Sequence, residues 1–351
     1  MRVNDDILDL LREKGAEAAR KAQWGVILQP GAIGDCILTL PLAAFMKEAL
    51  GLGGVDFLGH SEYISILPGR TCIDSISSID SIDLHRLFVE TNAFNLTDRD
   101  PLIHIFSGYS WIATFLGEPD SNFEQNLIFT ANCSHSAEVI TLSLKPPKTF
   151  SGHLTDFYIQ HFIDHSGLPL QPYQVPHDNC LIKTTEVDIA RGKELLKGMG
   201  LGSSKKLVVI QPGSGGLDKC WHLDNFLALA KKLNSEGIEV LFLLGPAELD
   251  RFNDAAIQKI SGIAKYLRDL SIEQVLELLS HANAFIGNDS GITHLAAGLG
   301  VRTLVVFGPT NPAVYKPIGP DVTVFVNNTA AFAKEPSASL QSKLMDVLIA
   351  E

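Results

Sequence analysis

Apolar residues gather into short runs that end in glycine-containing turns, each followed by a stretch with helical spacing. The first, Trp24-Gly25-Val26-Ile27-Leu28, ends in Gln29-Pro30-Gly31-Ala32-Ile33-Gly34-Asp35, after which Ile37 to Leu50 reads as a helix interrupted by Pro41. Val55–Gly59, Leu102–Phe106 and Val139–Leu144 predict further strands, with helices at Trp111–Leu116 and His153–Ser166. Beyond residue 205 the rhythm is cleaner. Strands are expected at Leu207–Gln211, Val240–Leu244, Ala284–Gly287 and Thr303–Phe307, and helices at Leu223–Leu233, from Glu248, at Ile272–Leu279 and from Ile292. Alternation of this kind predicts mostly parallel sheets and an α/β fold.

The densest proline stretch, Leu168-Pro169-Leu170-Gln171-Pro172 with Pro176 close behind, separates two regions with the same strand, glycine loop, helix theme. The expected organisation is an N-terminal helical extension over 1–23, a Rossmann-like domain over 24–175, a second over 176–329, and a C-terminal helix over 330–351. The extension is read from Asp5-Asp6 ahead of Ile7, Leu10 and Leu11.

Length supports two domains, because 351 residues exceed one ordinary core of about 100–200. Hydrophobic residues make up 46% and charged ones 19%, which fits a well-cored globular protein. The net charge of −12 disfavours nucleic acid and anionic lipid as partners. The five cysteines (Cys36, Cys72, Cys133, Cys180, Cys220) form no close pair of the zinc or redox type and suit a reducing compartment. With no signal-like start and no run near the ~20 apolar residues of a membrane span, the expected location is cytoplasmic.

Three glycine turns follow predicted strands: Gly31 to Asp35, Gly213-Ser214-Gly215-Gly216, and Asn288-Asp289-Ser290-Gly291. Glycine lets backbone approach a ligand closely, and a following helix N-terminus offers free N–H groups to phosphate. None matches the dinucleotide fingerprint or the phosphate loop ending Gly-Lys-Ser/Thr, so hydride transfer and ATP hydrolysis have no direct support. On residue type alone, Asp35, Asp289 and Ser290 fit helix-capping positions, Glu248 a helix start, Lys219 an exposed surface, Leu270 plain core and His294 a packing histidine.

Taken in order, the motifs resemble glycosyltransferase family 9, the bacterial heptosyltransferases. They are Gly31-Ala32-Ile33-Gly34-Asp35 continuing to Leu40-Pro41, Gln211-Pro212-Gly213-Ser214-Gly215 with Lys219-Cys220-Trp221, and Gly245-Pro246-Ala247-Glu248. Next come Gly287-Asn288-Asp289-Ser290-Gly291 with His294, and Phe307-Gly308-Pro309-Thr310. The resemblance is strong from about 205 to 317, good from 24 to 50 and faint between.

The resemblance implies a GT-B architecture of two facing Rossmann-like domains, with donor nucleotide on the C-terminal one, acceptor on the N-terminal one and the last helix returning to the first. It implies transfer of a heptose-like sugar from an ADP- or related nucleotide-linked donor, with inversion and without metal or other cofactor. Asp35 matches the catalytic aspartate, which as general base takes the acceptor's proton. Lys219, Ser214 and Gly215 match positions at the donor phosphates, Asp289, Ser290 and Gly291 the second phosphate loop, with His294 on the helix behind it. Glu248 matches a residue used on the donor ribose, and Leu270 one lining the base pocket. The implied acceptor is a glycan or lipid-linked glycan, as in lipopolysaccharide or other surface-glycan synthesis, with contact to the inner membrane surface transient at most. A nucleotide-sugar epimerase of similar architecture and a non-catalytic nucleotide-sugar binding protein are the alternatives.

Asp98-Arg99-Asp100 has the Asp-x-Asp form by which another glycosyltransferase class holds metal, but before Pro101 it reads as a surface turn. The chain departs from the family in two places: Gln29-Pro30 stand where a basic residue is common, and Cys220 and His222 flank Trp221 where a basic residue and proline are common. Few lysines or arginines lie between about 60 and 180, which predicts an acceptor other than a phosphorylated lipopolysaccharide core.

Overall fold

The computed structural model describes residues 23–349 except 172, 202–204, 328, 330 and 331. The helix expected over 1–23 therefore lies almost wholly outside the described residues. Contacts divide the chain into two units, the first running through Gly31 and over Thr39–Phe150 and Thr155–Val175, the second over Ala32–Leu38, Ser151–Leu154 and from Pro176 onward.

The first unit holds five parallel strands: β1 (Trp24–Leu28), β2 (Gly54–Gly59), β3 (Ile76–Ser78), β4 (Trp111–Thr114) and β5 (Glu138–Thr141), in the order β3-β2-β1-β4-β5. β1 is central, with Val26 opposite Asp56 of β2 and Ile112 of β4. Val26, Leu28, Phe106, Ile112, Phe123 and Leu127 are fully buried in one cluster on this sheet.

Two expectations are exchanged here. Leu102–Phe106, expected as a strand, lies in the helix Pro101–Phe106, whose N-cap Asp100 accepts from the Leu102 N–H at 3.1 Å. Trp111–Leu116, expected as a helix, supplies strand β4. A short apolar run carries no period of its own. The Asp-Pro cap decides the first case, while aromatic and β-branched residues paired between β1 and β5 decide the second. The Ile33–Ala49 helix runs unbroken through Pro41. Proline in a helix interior costs about 3 kcal/mol, which burial of Ile37, Leu38, Leu42 and Met46 offsets.

The second unit holds six parallel strands in the order β11-β10-β9-β6-β7-β8: β6 (Leu207–Gln211), β7 (Glu239–Leu244), β8 (Lys265–Arg268), β9 (Ala284–Asn288), β10 (Arg302–Phe307) and β11 (Val322–Val326). β6, β9 and β10 are near-continuous buried runs, as expected of a parallel sheet covered on both faces. The chain goes from β6 outward to β7 and β8, then crosses back to β9 on the other side of β6. The order therefore reverses between β6 and β9.

The last helix, Ala338–Ile349, packs within this second unit. Leu340, Leu344, Met345 and Leu348 are buried in the same cluster as Phe226, Leu229 and Leu233 of the helix Leu223–Ser235. Arg302 also donates to the Val347 carbonyl at 2.9 Å. The expected return to the first domain gives way to this contact, since the apolar stripe at 340, 344 and 348 is spent against the second sheet's helix.

Candidate active site

In an open parallel sheet, ligands bind outside the carboxyl ends of the strands where the order reverses. That point lies between β6 and β9, and the two glycine loops Gly213–Gly216 and Asp289–Gly291 leave from those two strand ends. Asn288, fully buried at the end of β9, ties them together: its Nδ2 donates to the Pro212 carbonyl (2.8 Å) and its Oδ1 accepts the Trp221 N–H (2.9 Å). Ser214 Oγ donates to the Asp289 carbonyl at 2.6 Å, and Ser290 Oγ donates to Gln211 Oε1 at 3.0 Å. Four bonds thus lock both loops into one surface.

Ser290 is also the N-cap of the Gly291–Gly298 helix, accepting the Thr293 N–H, so its capping role is realised. That helix start carries free N–H groups and partial positive charge. Asp289 beside it is a hub. Its Oδ2 accepts from Lys219 Nζ and Thr310 Oγ1, both at 2.9 Å, and its Oδ1 lies 3.7 Å from His294 Nε2. Burial pulls the Asp289 carboxyl upward, but the adjacent His294 and the charge and hydrogen bond of Lys219 outweigh it and hold it at about 2. Asp289, ionised near neutral pH, keeps the Lys219 ammonium at the mouth of the loops.

By its contacts the turn Ala32–Leu38 belongs to this second unit. A Cβ placed on Gly34 would lie 3.4 Å from the Gly291 Cα, and one on Gly291 would lie 2.0 Å from Ile33 Cγ2. Glycine at 291 is required for that approach, which sets the start of the Ile33–Ala49 helix against the start of the Gly291–Gly298 helix. Asp35 is the third residue of its helix rather than the cap, and its Oδ2 accepts the Ala32 N–H at 3.0 Å. Burial raises its carboxyl above the usual aspartate range. The Ala32 bond and the charges of His294 and Lys219 act in the opposite direction. Asp35, Lys219, Asp289 and His294 therefore share one electrostatic environment. Tyr315 joins them, its phenol raised by burial and by the two aspartates against Lys219.

Glu248 lies at the start of the helix Pro246–Arg251, after β7. Its Oε2 accepts the Gly245 N–H at 2.8 Å, while Oε1 is buried with no hydrogen-bond partner among the described residues. Burial raises this carboxyl too. With Gly213, Trp221, Arg251 and Phe252 it lines a cavity of about 290 Å³. Leu270 sits half-buried just past β8, at the same edge of the sheet but two strands from β6.

The departures from the family pattern have local roles. Gln29 is fully buried, donating to Thr39 Oγ1 and accepting the Gly31 N–H, both at 3.0 Å, so it shapes the first glycine turn. His222 caps the Leu223–Ser235 helix through Nδ1. Asp100 is 3% exposed and bonded by both Arg86 amino groups at 2.8 and 2.7 Å, so its carboxylate already has a cation.

Sequence reasoning missed roles for Asn288, Thr310, Arg251 and Tyr315. Asn288 and Thr310 stand inside quoted motifs as unassigned letters. Arg251 and Tyr315 stand outside any motif, and only folding brings them to the loops.

Two parallel α/β units, the second with a loop pair at its switch point, are the architecture of the GT-B fold. Residues 173–344 match the family described as glycosyltransferase family 9 (heptosyltransferase). A lipopolysaccharide heptosyltransferase 3 of Escherichia coli strain K12 is 25% identical over 301 residues, covering 81% of this chain and 82% of that protein. A second, from Escherichia coli, is 29% identical over 299 residues, covering 81% and 83%. Among solved structures, E. coli ADP-heptose lps heptosyltransferase II matches with TM-score 0.66 at 15% identity, over 93% of this chain and 99% of that one. The E. coli heptosyltransferase WaaC with ADP matches with TM-score 0.64 at 16% identity, over 93% and 99%. Residues 173–344 thus carry a glycosyltransferase family 9 domain, and the chain is a glycosyltransferase of heptosyltransferase type.

Proposed function

We propose that this protein transfers a heptose-like sugar from an ADP-linked donor to a hydroxyl of a glycan or lipid-linked glycan acceptor, with inversion and without a metal. The observation that carries the reading is the convergence of Asp35, Lys219 and the Gly291–Gly298 helix start at the β6/β9 switch point. In the proposed reaction Asp35 accepts the proton of the attacking hydroxyl. The new C–O bond forms at the anomeric carbon as the bond to the diphosphate breaks on the opposite face. Lys219 and the helix N-terminus take up the charge that builds on the leaving diphosphate.

The donor is assigned to the domain over 176–329, with Ser214, Gly215, Lys219, Ser290 and Gly291 at its phosphates and Glu248 on its ribose. Asp289 holds Lys219 and has His294 beside its other oxygen, and Leu270 lies toward the base. The acceptor is assigned to the domain over 24–175. ADP as the nucleotide is supported by the neighbour solved with ADP, and a surface-glycan acceptor by the relatives named lipopolysaccharide heptosyltransferases. Among the described residues no helix is long and apolar enough to cross a membrane. A cytoplasmic site of action, touching the inner membrane surface only transiently, accords with that reading.

The test is thermal shift against nucleotide diphosphates, then transfer with and without EDTA. ADP at about 100 times its dissociation constant should stabilise the protein by ~2.7 kcal/mol, and EDTA should leave transfer unchanged. Activity that vanishes with EDTA and returns with magnesium or manganese rejects the metal-free mechanism. Absence of any shift with ADP rejects the donor.

A further inference from the structure

Arg251 is the last residue of the Pro246–Arg251 helix and stands outside every glycine motif. Its side chain leaves β7's helix and reaches across to the loop after β6. Nη1 donates to the Ser214 carbonyl and Nη2 to the Gly215 carbonyl, both at 2.6 Å, and Nη1 also lies 3.7 Å from Cys220 Sγ. One planar fork thus holds two successive carbonyls, a geometry that the single ammonium of lysine does not reproduce.

Three residues earlier on the same helix face, Glu248 fills the space beneath Gly213, where an added Cβ would fall 2.2 Å from Glu248 Oε1. A glycine-rich loop of this kind has high conformational entropy when unbound. This helix grips it at three consecutive residues.

We propose that Arg251 is a positioning residue for donor binding, fixing the Ser214–Gly216 loop so that its peptide N–H groups are held ready for the donor's diphosphate. In a trans peptide the N–H points opposite its carbonyl. With the Ser214 and Gly215 carbonyls turned toward the guanidinium, the Gly215 and Gly216 N–H groups are turned away from it. The guanidinium also places a permanent positive charge behind the loop. The proposal rests on the nucleotide-diphosphate reading of that loop.

The test compares ADP with adenosine as ligands of the wild type, Arg251→Lys and Arg251→Gln by calorimetry or ligand-observed NMR, with melting temperatures of the unliganded proteins. Arg251→Gln should weaken ADP at least tenfold and Arg251→Lys by less, while adenosine, which lacks phosphate, binds all three within about twofold. In transfer assays the donor KM should rise by the same factor as the ADP dissociation constant. Equal losses for ADP and adenosine would mark a merely structural role, and unchanged ADP binding would remove the role altogether. A wild type that binds adenosine but gains nothing from the diphosphate overturns the donor reading itself, and this inference with it.

Discussion

Asp35 illustrates how one side chain serves two needs at residue scale. The carboxylate closes the first helical turn on the Ala32 N–H, and burial makes it a better proton acceptor than an ordinary aspartate. Asparagine keeps a carbonyl oxygen for the Ala32 N–H but cannot take a proton. Asp35→Asn should therefore lower the transfer rate by about 10²–10⁴ while leaving donor affinity and melting temperature close to wild type. Asp35→Ala should lose the rate and in addition roughly 0.5–1.5 kcal/mol of stability, the net worth of the Ala32 hydrogen bond. Because activity needs the ionised form and burial raises the carboxyl, the acid limb of kcat/KM should lie above the usual aspartate value and vanish in the asparagine variant. Near-normal turnover of Asp35→Asn would sink the general-base role. Residue type alone left cap and base both open for this position. The motif carried the base reading, whereas neighbours such as Tyr315 and Arg251 carry no signature because their roles arise from three-dimensional contact.

At the scale of elements, the second unit is legible because its strands are buried on both faces and read as unbroken apolar runs bounded by glycine and proline. Val208–Ile210, Leu241–Leu244 and Leu304–Phe307 need no tertiary information to be recognised. The first unit is legible at β1, β2, β5, the helix after β1 and the helix from Leu154, whereas 102–106 and 111–116 are too short for periodicity to separate strand from helix. The last helix shows a related limit: its apolar stripe predicts burial, but only the structure says against which sheet. The two glycine loops are visible in sequence as separate turns, and Asn288 is what makes them one surface. Asn288→Ala leaves the Pro212 carbonyl and the Trp221 N–H without their buried partner, which costs about 1–3 kcal/mol for such a group. The expected outcome is a lower denaturation midpoint together with weaker ADP binding. A stability loss with ADP affinity intact would show that the loops hold their register without this bridge.

Charge acts on the molecule as a whole. The net charge is −12, and much of it lies on the first unit. Over residues 39–150 and 155–175 the six cations Lys47, Arg70, Arg86, Arg99, Lys145 and Lys148 face fifteen aspartates and glutamates. Among them Lys47 pairs with Asp74 and Arg86 with Asp100, each at 2.7 Å. The second unit contrasts with this, placing Lys219, Arg251 and a helix start around its glycine loops, where a diphosphate is proposed to bind. If the acceptor meets the first unit, its own phosphates would meet an excess of carboxylates, and like charge slows encounter and weakens binding. A neutral saccharide should therefore be the better acceptor. The measurement is kcat/KM for a methyl heptoside and for its phosphate monoester at low and at high salt. At low ionic strength the neutral sugar should be preferred by about tenfold or more. The gap should narrow toward ~0.3 M salt, where the Debye length falls to several ångströms and exposed charges are screened. Preference for the phosphorylated sugar, weakening as salt rises, would mean that cations reach the acceptor after all and would overturn the expectation.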